Sequence, residues 1–246
     1  MNDGQSTIDL SIVIPCYNEA TRLPRTLRAT LAYLAGKPGT FEIIIVSDGS
    51  RDTTKAEADL LFLQLPANIL GRSIEYQPNA GKGKALKVGM CEAKGERILF
   101  MDADYAVPLE YLHVAEALLD TGMDIAIGSR AIAGTKVMEH QSFIRERLSK
   151  IFGLIQRSYL GLKLKDTQCG FKLFTRAAAH DLFTHVKLTS VIFDGEVLWL
   201  ATRRGYSVVE FPVEWTHDQD SRITYNLVRT LKVFWDMLLI PFLHLK

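Results

Sequence analysis

The chain has 246 residues, 48% of them hydrophobic and 23% charged, with a formal net charge of +1. This balance is that of a folded globular protein, and it leaves no global electrostatic case for a nucleic-acid partner. Cys16, Cys91 and Cys169 stand far apart with no CxxC or zinc-type spacing, as reduced thiols of a cytoplasmic protein do.

The opening MNDGQSTIDL has no basic region followed by an apolar core, so it does not read as a signal peptide, and residues 1–8 are expected to be a flexible tail. Residues 10–15 (LSIVIP) form a short, β-branched apolar run, the mark of a buried strand. Leu23, Leu27, Leu31 and Leu34 then fall at helical spacing, with Pro24 suited to a first turn. Residues 41–46 (FEIIIV) read as a second buried strand, 53–65 as a helix, 74–77 as a short strand and 84–93 as a helix. A further buried strand is predicted at 97–101 (RILFM), then a helix at 109–121 and a strand at 124–127. Strands alternating with helices, and apolar along their whole length, predict a mainly parallel sheet covered on both faces. In such a sheet, ligands bind beyond the carboxyl ends of the strands.

The second half is different in character. Residues 142–165 are basic and amphipathic, with Arg145, Arg147, Lys150, Arg157, Lys163 and Lys165 among Phe143, Leu148, Ile151, Phe152, Leu154 and Ile155. A helix is predicted at 175–183, another through FDGEVLWLATRRG ending at Gly205, and a strand at 206–212. The chain finishes in an aromatic, basic, apolar helix within 224–246. Its apolar run 233–245 is shorter than the ~18–20 residues of a membrane span and is broken by Asp236 and Pro241. Both segments are candidates to lie in a lipid interface, where basic residues meet anionic headgroups; packing on the domain or a homo-oligomer contact is the alternative. No repeat or linker divides the chain, which reads as a single domain.

Three strand ends carry polar clusters. Asp102 and Asp104 flank Ala103 after RILFM; two carboxylates this close oppose each other's ionisation, and a divalent cation such as Mg²⁺ or Mn²⁺ removes that cost. A solvated turn is the plainer reading of so short a pattern. In SDGSRD, Asp48 offers an acceptor for a base N–H, whereas Asp52 suits the cap of the next helix. In PCYNE, Tyr17 offers a stacking face, Glu19 an acceptor for a ribose hydroxyl, and Asn18 a cap. The turn NAGKGKA opens a helix and suits an anion; it is not a Walker loop, and Lys84 is favoured over Lys82 for a phosphate contact.

PCYNE, SDGSRD, GKGKA and DAD, in that order, resemble the family 2 inverting glycosyltransferases of the GT-A (Rossmann-like, three-layer) fold. The resemblance covers residues 9–216. It implies that Pro15, Tyr17, Glu19, Val46 and Asp48 hold the nucleoside, that Ala103 lies beside the ribose, and that Asp102 and Asp104 bind metal and diphosphate. GSR (Gly128 to Arg130), DTQCGFKLF (Asp166 to Phe174), FDGE (Phe193 to Glu196) and SRI (Ser221 to Ile223) look most like the group that glycosylates dolichyl or polyprenyl phosphates, its β-glucosyl members above all. The resemblance then implies UDP-glucose as donor, a polyprenyl or dolichyl phosphate as acceptor, and a peripheral position on the cytoplasmic face of a membrane. Arg130 and Arg222 would contact phosphates. Lys172 is a further candidate cation, and Asp194 or Glu196 a base if the acceptor is a hydroxyl, with helix capping as the plainer reading of both acids. Mannosyl members carry a polar third metal ligand where this chain has Ala106, which weakens a GDP-mannose alternative. A glycan-hydroxyl acceptor and a non-catalytic nucleotide binder are the remaining alternatives; the processive branch is disfavoured because no RW pair is present.

Overall fold

The computed structural model describes residues 7–137, 143–216 and 227–245, without the side chains of 137, 143–151 and 227–230. In chain order the strands are β1 (Leu10–Cys16), β2 (Phe41–Asp48), β3 (Ile69–Tyr76), β4 (Arg97–Met101), β5 (Ile125–Ser129), β6 (Lys136–Val137), β7 (Phe171–Thr175), β8 (Val208–Pro212) and β9 (Glu214–Trp215). The helices are α1 (Leu23–Ala35), α2 (Thr54–Phe62), α3 (Lys82–Glu92), α4 (Leu112–Asp120), α5 (Phe143–Leu160), α6 (Arg176–His185), α7 (Phe193–Arg203) and α8 (Leu227–Leu243). A 7-stranded sheet runs in the order β3-β2-β1-β4-β7-β5-β8. β6 and β9 pair separately, in parallel.

Strand alternation sorts the core into two layers, one on each side of the sheet. Leu10, Ile12 and Ile14 of β1 pack with Leu23, Leu27 and Leu34 of α1 and with α4. Val13, by contrast, joins Ile98 and Phe100 of β4 against α3, α6 and α7. Phe100, Phe174 and Phe183 meet at 5.6–6.5 Å between ring centroids, favourable aromatic geometry. The fold is therefore a three-layer α/β sandwich.

β1 has β2 on one side and β4 on the other, all parallel, so the winding reverses between β1 and β4. That reversal opens a crevice at the strand ends. β7 departs from the parallel rule: it runs antiparallel to both β4 and β5. β3 begins at Ile69, five residues before the predicted strand at 74–77, because an edge strand need not be apolar. The expected tail also ends early: Ile8 is buried and its carbonyl accepts from the Glu96 N–H at 2.8 Å. Residues 1–6 lie outside the described residues.

Candidate active site

The loops after β1 and β2 lock together to form one wall. Asn18, at φ +54°, accepts from the Arg51 N–H at 2.7 Å, and its own N–H donates to Ser50 Oγ at 3.0 Å. The Glu19 N–H donates to Thr54 Oγ1 at 2.7 Å. Asp52 accepts from the N–H groups of Thr54 and Ala20 at 3.1 and 3.2 Å, joining the start of α2 to the first loop. Asp48 is buried and accepts from Ala80 N–H (2.7 Å), Gly81 N–H (2.8 Å) and Asn79 Nδ2 (2.8 Å). Its carboxylate thus fixes the turn that leads into α3. Gly81 is required in that turn: its φ is +104°, and a Cβ there would come within 2.3 Å of the Thr189 carbonyl oxygen.

The DxD loop follows β4. Lys82, first residue of α3, places Nζ 2.5 Å from Asp102 Oδ1. Burial alone would push the Asp102 carboxyl up, but Lys82, then Lys172 and Arg130, hold it below the usual carboxylate range. Burial, and next the Asp102 charge, push Asp104 up to about 6. The Asp102 N–H donates to the Gly170 carbonyl at 3.1 Å, and a Cβ on Gly170 would lie 2.1 Å from Asp102 Oδ2. Glycine at 170 is therefore what allows the DTQCG loop to close against the first aspartate.

The two carboxylates fit a divalent cation. A cation relieves the opposition that raises Asp104, and Mg²⁺ commonly uses one or two carboxylates plus substrate phosphates. Among the described residues no third His, Cys, Asp or Glu joins them. The other ligands would come from substrate and water.

Two ion pairs lie beside this loop. Lys172 Nζ donates to Asp194 Oδ1 and to the Cys169 carbonyl, each at 2.6 Å, and sits 4.8 Å from the Phe100 ring centroid. The Lys172 side chain is 1% exposed and that of Asp194 5%. Burial raises Asp194 above the usual carboxylate range, with Lys172 opposing. Arg130 binds Asp166 through its backbone N–H (2.9 Å), Nε (2.7 Å) and Nη2 (3.0 Å), and lies 5.4 Å from the Trp215 ring centroid. Burial opposes ionisation of Asp166, but Arg130 and backbone N–H groups prevail and hold it at about 2.

A carboxylate depressed in the folded state stabilises above its unfolded pKa, here near 3.8, and that stabilisation fades as pH falls toward 2. Asp166 should contribute about 2 kcal/mol to the acid limb of a urea-unfolding profile. Asp166→Asn should flatten that limb; an unchanged acid slope in the variant refutes the assignment.

Several expected roles shift in the light of this geometry. Lys172 is a buried counter-ion of Asp194, so it is not open to an acceptor phosphate, and Asp194 is paired and so not a free base. Glu196 is fully buried and hydrogen-bonded. Val46 is a core side chain packed with Val13 and Ile44. Glu19 accepts from Arg22 Nε at 2.7 Å. Lys84, favoured for phosphate, is exposed, whereas Lys82 reaches Asp102. Pro15 is half-buried and Tyr17 exposed at the strand end; Ala103 is buried, its carbonyl accepting from Thr26 Oγ1 at 2.6 Å. Arg222 lies outside the described residues. The sequence sets Lys82 behind Lys84 as a plain basic turn residue, and gives Asp166 and Gly170 no individual role beyond their motif.

A three-layer sandwich with paired carboxylates at its winding reversal is the architecture of a GT-A glycosyltransferase. Solved structures of glucosyl-3-phosphoglycerate synthase from Mycobacterium tuberculosis share it. The complex with Mn²⁺, UDP and glucosyl-3-phosphoglycerate superposes with a TM-score of 0.62 at 18% identity, over 95% of this chain and 78% of that one. The family model described as "Glycosyl transferase family 2" matches residues 11–183. The chain is 37% identical to the dolichyl-phosphate beta-glucosyltransferase of Drosophila melanogaster, over 90% of this chain and 71% of that protein. It is 34% identical to the human protein of that name (88% and 70% covered) and 34% to that of Saccharomyces cerevisiae (97% and 75%). The chain belongs to glycosyltransferase family 2 and is a glycosyltransferase.

Proposed function

We propose that the chain transfers glucose from UDP-glucose to a dolichyl or polyprenyl phosphate, with inversion, at the cytoplasmic face of a membrane. The observation that carries the reading is the 37% identity, over 90% of the chain, to a dolichyl-phosphate beta-glucosyltransferase. The chain acts as a single catalytic domain, since strands from both halves share one sheet.

In this reading Tyr17 and the loop fixed by Asp48 line the nucleoside side, and Asp102 and Asp104 hold Mg²⁺ or Mn²⁺. The cation supplies charge stabilisation for the departing diphosphate. Lys82 adds a second positive group on the same side. Arg130, oriented by Asp166 and Trp215, faces the acceptor phosphate, with Arg222 as a further candidate. A phosphate ester is ionised at neutral pH and needs no general base, in keeping with Asp194 being engaged by Lys172.

No described helix is long and apolar enough to cross a membrane. Peripheral contact is supported by α5 and α8, which meet where Tyr159 Oη donates to the Leu238 carbonyl at 2.9 Å. Leu154, Ile155, Leu231, Phe234, Trp235 and Phe242 stand exposed on the pair, apolar area suited to a lipid interface. Cys16, Cys91 and Cys169 are free thiols, in keeping with a reducing compartment.

The test is a transfer assay with labelled UDP-glucose, UDP-GlcNAc and GDP-mannose, each with a polyprenyl phosphate, in Mn²⁺, Mg²⁺ or EDTA. EDTA-sensitive lipid product from UDP-glucose is expected. Product only from another donor would move the sugar, and no lipid product from any donor would sink the acceptor.

A further inference from the structure

Glu196 closes the FDGE stretch, yet no part of it reaches the crevice: it is 0% exposed. Its Oε1 accepts from the Lys187 N–H at 2.9 Å and lies 2.7 Å from His244 Nε2, while Oε2 accepts from the Leu188 N–H at 2.8 Å. His244 follows the last residue of α8. Its ring packs on Trp199 of α7, centroids 5.6 Å apart. Met237 and Ile240, seven and four residues earlier on α8, are buried on the same helix face. Lys187 Nζ donates to the Leu243 carbonyl at 2.6 Å, a second tie between loop 186–192 and the end of α8.

The loop that Glu196 holds at one end closes on the donor side at the other. The Gly83 N–H donates to the Thr189 carbonyl at 2.9 Å. A Cβ on Gly83 would come within 2.6 Å of the Leu188 carbonyl oxygen, so the loop backbone lies directly on the first turn of α3. One residue before Gly83, Lys82 reaches Asp102. A continuous set of contacts thus runs from α8 through His244, Glu196 and the loop to the lysine beside the DxD carboxylates.

We infer that Glu196 and His244 are positioning residues, which tie α8 to loop 186–192 and so hold Lys82 at the donor site. A buried carboxylate depends on every donor it has, because no water replaces a lost one. Without the His244 N–H, Glu196 keeps only its two backbone donors, and the Lys187 and Leu188 amides it anchors loosen. A displacement of about 1 Å at a catalytic group is enough to cost on the order of 10²-fold in rate. The function assigned to this coupling rests on the nucleotide-sugar reading of the site; the coupling itself is a matter of structure.

The experiment uses the full chain. His244→Phe keeps a ring over Trp199 but removes the N–H, and His244→Gln keeps a donor. Amide hydrogen exchange is followed at Gly83 and through the first turn of α3, and UDP affinity is measured by calorimetry with Mn²⁺. His244→Phe should speed exchange at that turn and weaken UDP about tenfold, and His244→Gln should restore most of both. Wild-type exchange at Gly83 in His244→Phe overturns the inference, as does a glutamine variant that behaves like the phenylalanine one. If the wild type binds no UDP while His244→Phe still speeds exchange at Gly83, the coupling holds and the nucleotide reading fails.

Discussion

Asp104→Asn should lower glycosyl transfer by about 10³-fold while leaving the metal-free protein at least as stable as the wild type. The two effects have one cause. In the folded chain Asp104 is pushed up to about 6, by burial and by the charge of Asp102 two residues away. A neutral amide of the same shape removes that repulsion, so stability should hold or rise. It also removes one of the two carboxylates that would hold the cation, so the stabilisation of the leaving diphosphate is lost. The same geometry gives a pH signature. A cation held by this pair would have to displace a proton from Asp104 below a pH of about 6, so apparent metal affinity should climb with pH up to that point and then level. The variant should lose the climb along with the activity. Turnover under saturating Mn²⁺, with melting in EDTA, tests the pair of effects; near-normal turnover refutes the metal assignment, and a large loss of stability would mean that Asp104 is structural.

The strand ends were legible because β1, β2 and β4 each carry an apolar run toward their carboxyl end, Ile12–Pro15, Ile43–Val46 and Ile98–Met101, with a polar cluster soon after it. β7 was not read as a strand. Phe171–Thr175 carries a lysine at its second position, and a lysine in a central strand argues against burial unless a partner is known. That partner, Asp194, is 22 residues further on, at the start of α7, and nothing local links the two. That Lys82 and not Lys84 reaches Asp102 was hidden for a different reason. Two residues apart on a helix point about 200° away from each other, so only one can face the crevice. The turn NAGKGKA does not say which; that is decided by how Asp48 and loop 186–192 hold Gly81. The DxD carboxylates could be found because they are adjacent in sequence. Arg130 and Lys172 stand out in the sequence as cations for phosphates, but that they and Lys82 converge on Asp102 does not, because they come from the loop after β5, β7 and α3.

Lys172→Met should destabilise the protein by about 3–5 kcal/mol, the usual result of removing one partner of a buried ion pair. The Lys172 side chain is 1% exposed, and Asp194, already raised by burial with the lysine in place, would lose the charge that most favours its ionised form. The remedy is then to remove the second charge. Lys172→Met combined with Asp194→Leu should recover most of the lost stability, since a buried pair replaced by apolar side chains of similar size is often close to neutral. Transfer activity should not recover with it. Lys172 also helps to hold Asp102 ionised, and the Cys169 carbonyl that it binds precedes Gly170, against which Asp102 rests. Urea unfolding of the wild type, both single variants and the double variant closes a thermodynamic cycle, and transfer assays on the same proteins separate folding from function. A single-variant loss below about 1 kcal/mol would show that Asp194 finds another partner or takes up a proton at little cost. A double variant that regains full activity would reduce the pair to packing. The expected split, with stability restored and catalysis still lost, would mean that the pair is kept for the charge it places beneath the DxD loop.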